Sequence, residues 1–407
     1  MTEEPHGALE GVRVIDLTQM LAGPFCTMML ADQGAEVIKV EPFTGDYVRF
    51  NAPFHPDDTE HAYSGYFASV NRNKKSIAVD LKTEEGRNIV IKLCRNADAV
   101  VENYRVGVMD RLGLSFDVLR AENPRLVYAC IRGFGDPSTG RSPYADWQAY
   151  DVVAQAIGGV IGINGPDPRT PMKVGPGVGD IVPGAMAAYG LVCALLRAQR
   201  TGRGQLVDVA MTDVILSLCE RIVYQRAVNG VVARPEGNRH PMFAIFGLLP
   251  AADGWITVAA HTDEFWRIFC TLLQRGDLID DPRSATREAR VANQEFVYCE
   301  AGRMTSRFTK KELSALLGGK LPFGPANDIE DILADEHFAI REMIVDVEQP
   351  GVGRPLQIAG VPIKMTETNG RIWSRAPKLG EHAPEVLGRL GYSDSDIASL
   401  RERRIAG

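Results

Sequence analysis

Asp180 follows three alternate glycines, Gly175, Gly177 and Gly179, and heads a long apolar run that extends to Arg197. Glycines let backbone approach a ligand closely and present amide donors with no side chain in the way. An acid at a helix start lies beside unpaired amides and the positive end of the macrodipole, which favours its ionised form. Such a carboxylate can attack an activated acyl group as a nucleophile. Asp is also a preferred N-cap, and Pro183 just beyond it suits a first helical turn. Local pattern leaves capping and chemistry both open.

Other chemistries find less to work with. The seven histidines show no metal-ligand spacing, and the seven cysteines are scattered with no Cys-x-x-Cys pair, so neither zinc nor a disulfide framework is expected. No Gly-x-Gly-x-x-Gly follows the first apolar strand, no Walker loop occurs, and no Gly-x-Ser-x-Gly anchors a triad. What stands beside Asp180 is the Gln148-Ala149-Tyr150-Asp151 loop and a set of cations: Lys39, Arg72 to Lys75, Lys82, Arg105 and Arg111. Several fall at strand ends, where a phosphorylated ligand would sit.

The elements that must position these residues alternate. Apart from a later strand at 206–210, short apolar strands are expected in the N-terminal part at 13–17, 36–40, 75–79, 97–101 and 125–131, with helical runs at 25–33 and 83–95 between them. This order predicts an α/β fold with a parallel sheet, whose ligands bind beyond the carboxyl ends of the strands. The helix after Asp180 ends at a Gly202 C-cap, a further helix covers 213–228, and 384–404 reads as one helix. Composition shifts at 229–242 and 321–378 mark linkers around a compact segment. With 407 residues, 45% hydrophobic and 24% charged, and a net charge of −7, the chain reads as an ordinary globular protein. Nucleic acid and an anionic membrane are not expected partners. The acidic N-terminus lacks a signal peptide's apolar core, and the apolar stretch 184–196 is shorter than a membrane span, so the cytoplasm is the default compartment.

Four segments carry a resemblance: Asp16 to Pro24, Gly34 to Pro42, Asn73 to Lys82, and Ala97 to Gly113, extended by Thr201 to Ala210 and Ala376 to His382. Together they resemble the family III CoA-transferases, the CaiB/BaiF group that includes formyl-CoA and carnitine CoA-transferases and the α-methylacyl-CoA racemases. The resemblance implies that Asp180 is the nucleophile of a ping-pong CoA transfer through an aspartyl-CoA thioester. It implies coenzyme A and acyl-CoA as substrates, a small carboxylic acid as acceptor, and no tightly bound cofactor or metal. CoA contacts are implied for Leu21, Ala22, Val79, Asp80, Leu81, Lys82, Asn103, Tyr104, Arg105 and Arg111, with Gln148, Ala149, Tyr150 and Asp151 at the thioester end. Formyl-CoA transferases carry glutamine and arginine where this chain has Leu21 and Pro42, and the racemases carry histidine where it has Tyr150, so a transferase of other acids is expected. A racemase or a non-catalytic CoA-binding protein are the alternatives.

The implied architecture is a Rossmann-like large domain plus a smaller α/β domain, joined by two long linkers into a ring that interlocks with a second ring as a homodimer. The expected boundaries are 1–205 for the large CoA-binding domain, 206–242 for the first linker, 243–320 for the small domain, 321–378 for the return linker and 379–407 for a C-terminal helix. Arg239 and His240, beside Pro241, are candidates to meet a second carboxylate of a dicarboxylic substrate.

Overall fold

The computed structural model describes residues 7–407 apart from Glu60, Ala62 and Pro241, so Pro241 and His6 lie outside the described residues. The chain divides into two compact units. One holds the residues up to Val160, Val174–Tyr224 and Glu336 onward; the other holds Ile161–Lys173 and Gln225–Asp335.

In the first unit six strands form one parallel sheet: β1 (Arg13–Asp16), β2 (Glu36–Glu41), β3 (Lys74–Ala78), β4 (Ala99–Glu102), β5 (Val127–Arg132) and β6 (Leu206–Ala210). Their order is β3-β2-β1-β4-β5-β6, with Ile15 of β1 opposite Ile38 on one side and Val100 on the other. The central strands are near-continuous apolar runs because helices cover both faces. Those helices are α1 (Ala22–Asp32), α2 (Gly65–Asn71), α3 (Glu84–Arg95), α4 (Val108–Arg111), α5 (Phe116–Glu122), α6 (Asp151–Ile157), α7 (Val178–Thr201) and α8 (Met211–Leu218). Helix α3 shows why such segments fold as they do. Thr83 caps the Gly86 amide, Glu84 and Glu85 stand in the first turn, Lys92 and Arg95 stand in the last, and one face is buried. A Cβ at Gly184 of α7 would lie 2.5 Å from the Ala22 carbonyl, so α1 and α7 pack at backbone contact only because that residue is glycine.

Expected and observed boundaries differ in two places. Residues 206–218, expected as the start of a linker, form the sheet's sixth strand and α8, because Leu206–Ala210 pairs with Tyr128–Arg132. The expected C-terminal helix is broken at Gly391, whose φ of 88° favours glycine, into two helices, Ala383–Arg389 and Asp394–Glu402. Helix α7 spans 24 residues and ends at the expected Gly202 C-cap, and by length and composition alone it could cross a membrane. In the structure it packs against α1 and β5.

The second unit follows α9 (Glu220–Asn229) with an antiparallel sheet of β7 (Phe246–Ala251), β8 (Gly254–Ala259) and β9 (Phe323–Pro325). It carries α10 (Asp263–Leu272), α11 (Arg287–Ala292), α12 (Gln294–Thr305), α13 (Lys310–Leu317) and α14 (Ile329–Ala334). Its own core centres on Trp266, Phe269 and Leu313. The chain then returns to the first unit through α15 (Glu336–Ile340), an antiparallel pair β10 (Ile344–Val347) and β11 (Leu356–Ala359), α16 (Ala383–Arg389) and α17 (Asp394–Glu402).

Candidate active site

In a sheet of this order, β1 and β4 are adjacent but their crossover connections leave in opposite directions, which opens a crevice beyond their carboxyl ends. A cleft of about 560 Å³ lies there. It is lined by the loops after β1 (Gln19 to Ala22), β4 (Asn103 to Val106) and β5 (Gly133 to Gly135), by Ala145 to Tyr150, and by Tyr66 and Asp180.

Asp180 is the third residue of α7, whose N-cap is Gly177, so it is not itself the cap and Pro183 falls in the second turn. The carboxylate of Asp151 does the capping instead: its Oδ1 accepts the Gly179 amide at 2.7 Å. Both Asp151 oxygens also accept from Gln155 Nε2 at 2.9 Å, and Gln155 Oε1 takes the Val174 amide at 2.9 Å, which fixes the loop before α7. Gly179 must be glycine because a Cβ there would sit on the Asp151 carbonyl. The glycine run therefore admits a neighbouring acid here rather than a ligand. Asp180 is left facing the cleft, and no described residue donates a hydrogen bond to its carboxylate. Burial, with the Asp151 charge added, pushes it up from 3.8 to about 7. The expectation that the helix end keeps Asp180 ionised is thus corrected: the helical donor goes to Asp151, and desolvation wins.

A buried charge network holds the loop after β1, which lines the cleft. Lys74 reaches Asp16 at 3.0 Å, and Lys39 donates to the Thr18 carbonyl at 2.8 Å and pairs with Asp46 at 3.0 Å. Asp46 Oδ1 in turn accepts the amide of Met20, which is held at a φ of 69° that side chains other than glycine rarely adopt. Glu41 binds Arg49 through both oxygens at 2.7 Å. Burial alone would push Asp16 up, but Lys74, Lys39 and the Thr18 and Thr27 hydroxyls hold it at about 2. Lys39 and Lys74, expected as ligand cations, are fully buried structural partners. Arg72 is paired with Asp32 at 2.7 Å, and Lys75 is tied to Glu36 and Glu385.

Of the residues singled out from sequence, Leu21, Ala22, Asn103, Tyr104, Arg105, Arg111, Gln148, Ala149, Tyr150 and Asp180 line the one cleft. Asn103 also staples the two loops across the crevice, exchanging hydrogen bonds of 2.9 and 2.7 Å with the Gln19 backbone. Arg105 and Arg111 are exposed and have no ion-pair partner among the described residues. Asp151 stands behind the cleft wall. Val79, Asp80, Leu81 and Lys82 do not line the cleft: β3 is the sheet edge, two strands from the crevice, and the chain's C-terminus covers its end through Ala78–Gly407 and Asp80–Ile405 backbone bonds. Val79 is core and Lys82 exposed. In the second unit Arg239 pairs with Glu295 and lies 4.7 Å over the Tyr298 ring, so it is not a free cation for a second carboxylate. Among the described residues no cluster of three His, Cys, Asp or Glu could hold a metal ion.

Among the cleft residues that the sequence did not single out are Tyr66 and Arg132. Tyr66 sits on α2, in a stretch read as loop; burial and the Asp180, Asp46 and Asp151 charges raise its hydroxyl above its usual range. The Ser64 N-cap, which accepts the Tyr66 and Phe67 amides, was the signal that could have found that helix. Arg132 ends β5 and is neutralised by Glu102 at 2.5 Å and by Asp136.

The model of CoA-transferase family III matches residues 9–383. The chain is 45% identical over 385 residues to succinyl-CoA:mesaconate CoA-transferase of Haloarcula hispanica, covering 95% of this chain and 97% of that protein. It is 38% identical to succinate–glutarate CoA-transferase of Agrobacterium fabrum, covering 96% and 98%. A CAIB/BAIF family protein from Brucella suis superposes with a TM-score of 0.85 at 35% identity, covering 95% of this chain and all of that one. The parallel sheet, the switch-point cleft and this full-length similarity agree that the chain is an enzyme belonging to CoA-transferase family III.

Proposed function

We propose that this enzyme moves CoA from an acyl-CoA to a small carboxylic acid by covalent catalysis at Asp180. The observation that carries the reading is a half-buried carboxylate in the switch-point cleft that accepts no hydrogen bond from any described residue. A carboxylate short of solvation is a stronger nucleophile than one tied into a helix cap. An Asp180 oxygen attacks the thioester carbonyl, the C–S bond breaks, and CoA leaves as thiolate from a mixed anhydride. The thiolate attacks the Asp180 carbonyl, forming the aspartyl-CoA thioester and releasing the donor acid as carboxylate. An acceptor carboxylate attacks that thioester, and the returning thiolate takes the new acyl group and restores Asp180. One thioester and one carboxylate are consumed and formed, so no ATP is needed.

Arg105 and Arg111, exposed at the cleft and without an ion-pair partner among the described residues, suit the phosphates of CoA. Leu21, Ala22 and the 148–150 loop line the end near Asp180. The Tyr66 hydroxyl is the neutral donor beside Asp180 that can meet the developing oxyanion. The relatives' names point to succinyl-CoA as donor and to C4 and C5 acids such as mesaconate or glutarate as acceptors. The ring-shaped, interlocked homodimer expected for the family completes the proposal. Labelled acid exchange into acyl-CoA tests it, with hydroxylamine trapping and mass spectrometry of the Asp180 peptide. Exchange is expected to vanish in Asp180→Ala while CoA still binds. Undiminished exchange in that variant refutes the reading, and deuterium wash-in at the α-carbon without an acceptor acid would indicate a racemase instead.

A further inference from the structure

Trp147 lines the same cleft as Asp180 and is 59% exposed, an unusual place to leave the largest apolar side chain. It is also braced. The Phe134 ring stands perpendicular to it at 6.3 Å, Tyr144 lies 4.7 Å away, and Phe134 is buried against Tyr144 at 5.5 Å. The loop that carries it is seated on the end of β5. A Cβ at Gly133 would lie 2.3 Å from the Ala149 Cβ, so Ala149 packs there only because residue 133 is glycine. A ring held this way loses little freedom when a ligand covers it. The chain also keeps it near the reacting end. Trp147 precedes Asp151 by four residues, so their Cα atoms are at most about 14 Å apart. Asp151 in turn accepts the amide of Gly179, the neighbour of Asp180, at 2.7 Å. An indole face is negative at its centre, so it repels a carboxylate and attracts a flat, conjugated group.

We propose that Trp147 selects the acid: its ring face stacks on the planar frame of an α,β-unsaturated acyl group while the carbonyl of that group is exchanged at Asp180. The inference rests on the reading of Asp180 as the nucleophile and narrows its substrate class. That class is a short α,β-unsaturated dicarboxylic acid, such as mesaconate, ahead of the saturated acid of the same skeleton. Conjugation holds the double bond and both carboxyl groups of such an acid close to one plane, so the distal carboxylate projects past the edge of the ring instead of over its face. A saturated chain is puckered and touches the same face with fewer atoms.

The test compares mesaconate with methylsuccinate, which lacks only the double bond, as acceptors from succinyl-CoA. The readout is the ratio of their kcat/KM values, with CoA affinity, thermal unfolding and oligomeric state measured in parallel. Trp147→Leu keeps an apolar side chain and removes the ring; it is expected to lower the mesaconate-to-methylsuccinate ratio about fivefold, the scale of one aromatic stacking contact. Trp147→Phe is expected to stay within about twofold of wild type. The proposal is overturned if the wild-type enzyme prefers methylsuccinate, if the ratio in a folded, CoA-binding Trp147→Leu variant stays within twofold of wild type, or if Trp147→Phe falls as far as Trp147→Leu. A Trp147→Leu variant that changes oligomeric state and leaves the ratio unmoved also overturns it, since the exposed indole would then be a contact with a second copy. Loss of exchange in Asp180→Ala with an unmoved ratio in Trp147→Leu would sink the stacking assignment and leave the nucleophile standing. Persistent exchange in Asp180→Ala would sink the nucleophile whatever the ratio shows.

Discussion

Asp151→Asn tests the electrostatics of the site. In the native protein Asp180 is raised from 3.8 to about 7 by burial first and by the Asp151 charge second. Only ionised Asp180 can attack, so kcat/KM should rise with pH through about 7 and then level off. Asparagine keeps an oxygen for the Gly179 amide and for Gln155, and it removes the charge. The rise is about 3 units in all and the Asp151 charge is the smaller of its two causes, so losing that charge should return less than half of it, at most about 1.5 units, while burial still acts. The acid limb should therefore move down from about pH 7 but stay above about pH 5.5, well short of the ordinary carboxylate value. Exchange of labelled acid into acyl-CoA, followed from pH 4.5 to 9 at subsaturating donor, measures it. A wild-type limb near pH 4, or a limb that does not move in Asp151→Asn, would refute the account of what raises Asp180.

Three further outcomes are expected. Because the folded protein holds the Asp180 proton at pH values where the unfolded chain has lost it, stability should decline as pH rises from about 4 to about 7 and stay level above. Asp180→Asn should remove that decline, stabilising the protein at pH 8 by at most about 4 kcal/mol and by about half that once cleft solvent is counted, with no gain at pH 4; thermal melts at both pH values check it. Lys74→Met leaves Asp16 buried beside a lost partner and should cost about 3–5 kcal/mol in denaturant titration. Tyr66→Phe should lower kcat by about tenfold with CoA affinity unchanged, by steady-state kinetics and calorimetry.

The sheet was legible because parallel strands buried on both faces are written as compact apolar runs, such as Val14–Ile15 and Val127–Ile131, separated by helix signals. Leu206–Ala210 was legible as a strand but not as part of the sheet: pairing with β5 crosses more than seventy residues, and no local pattern carries that. Helix α2 was hidden by its brevity and its one-residue Ser64 cap. Asp180 was found from its glycines, yet the reason assigned to those glycines was wrong. Gly179 makes room for Asp151, twenty-eight residues away, and that contact is tertiary. The cations at strand ends looked like ligands because Lys39 and Lys74 have the right type and position, but Lys39 is turned to Asp46 in the loop after its own strand, and the Lys74 partner, Asp16, comes from a strand 58 residues away.

The two aspartates divide one helix terminus between them, and the division produces the reactivity. Had Asp180 taken the Gly179 amide, it would have been an ordinary capping acid, low in pKa and poor as a nucleophile. Asp151 takes that hydrogen bond and contributes its own charge, so Asp180 is both undersolvated and repelled. This arrangement costs stability, and the fold holds it by over-determining everything around it. Gln155 locks Asp151, Gly184 seats α7 on α1 at backbone contact, and the buried Asp16–Lys74 and Lys39–Asp46 pairs pin the opposite loop, Met20 included. A strained carboxylate persists only where its neighbours cannot relax. Gly179→Ala should therefore damage catalysis more than stability. Its Cβ would displace Asp151, free the amide for Asp180, and turn the nucleophile back into a cap.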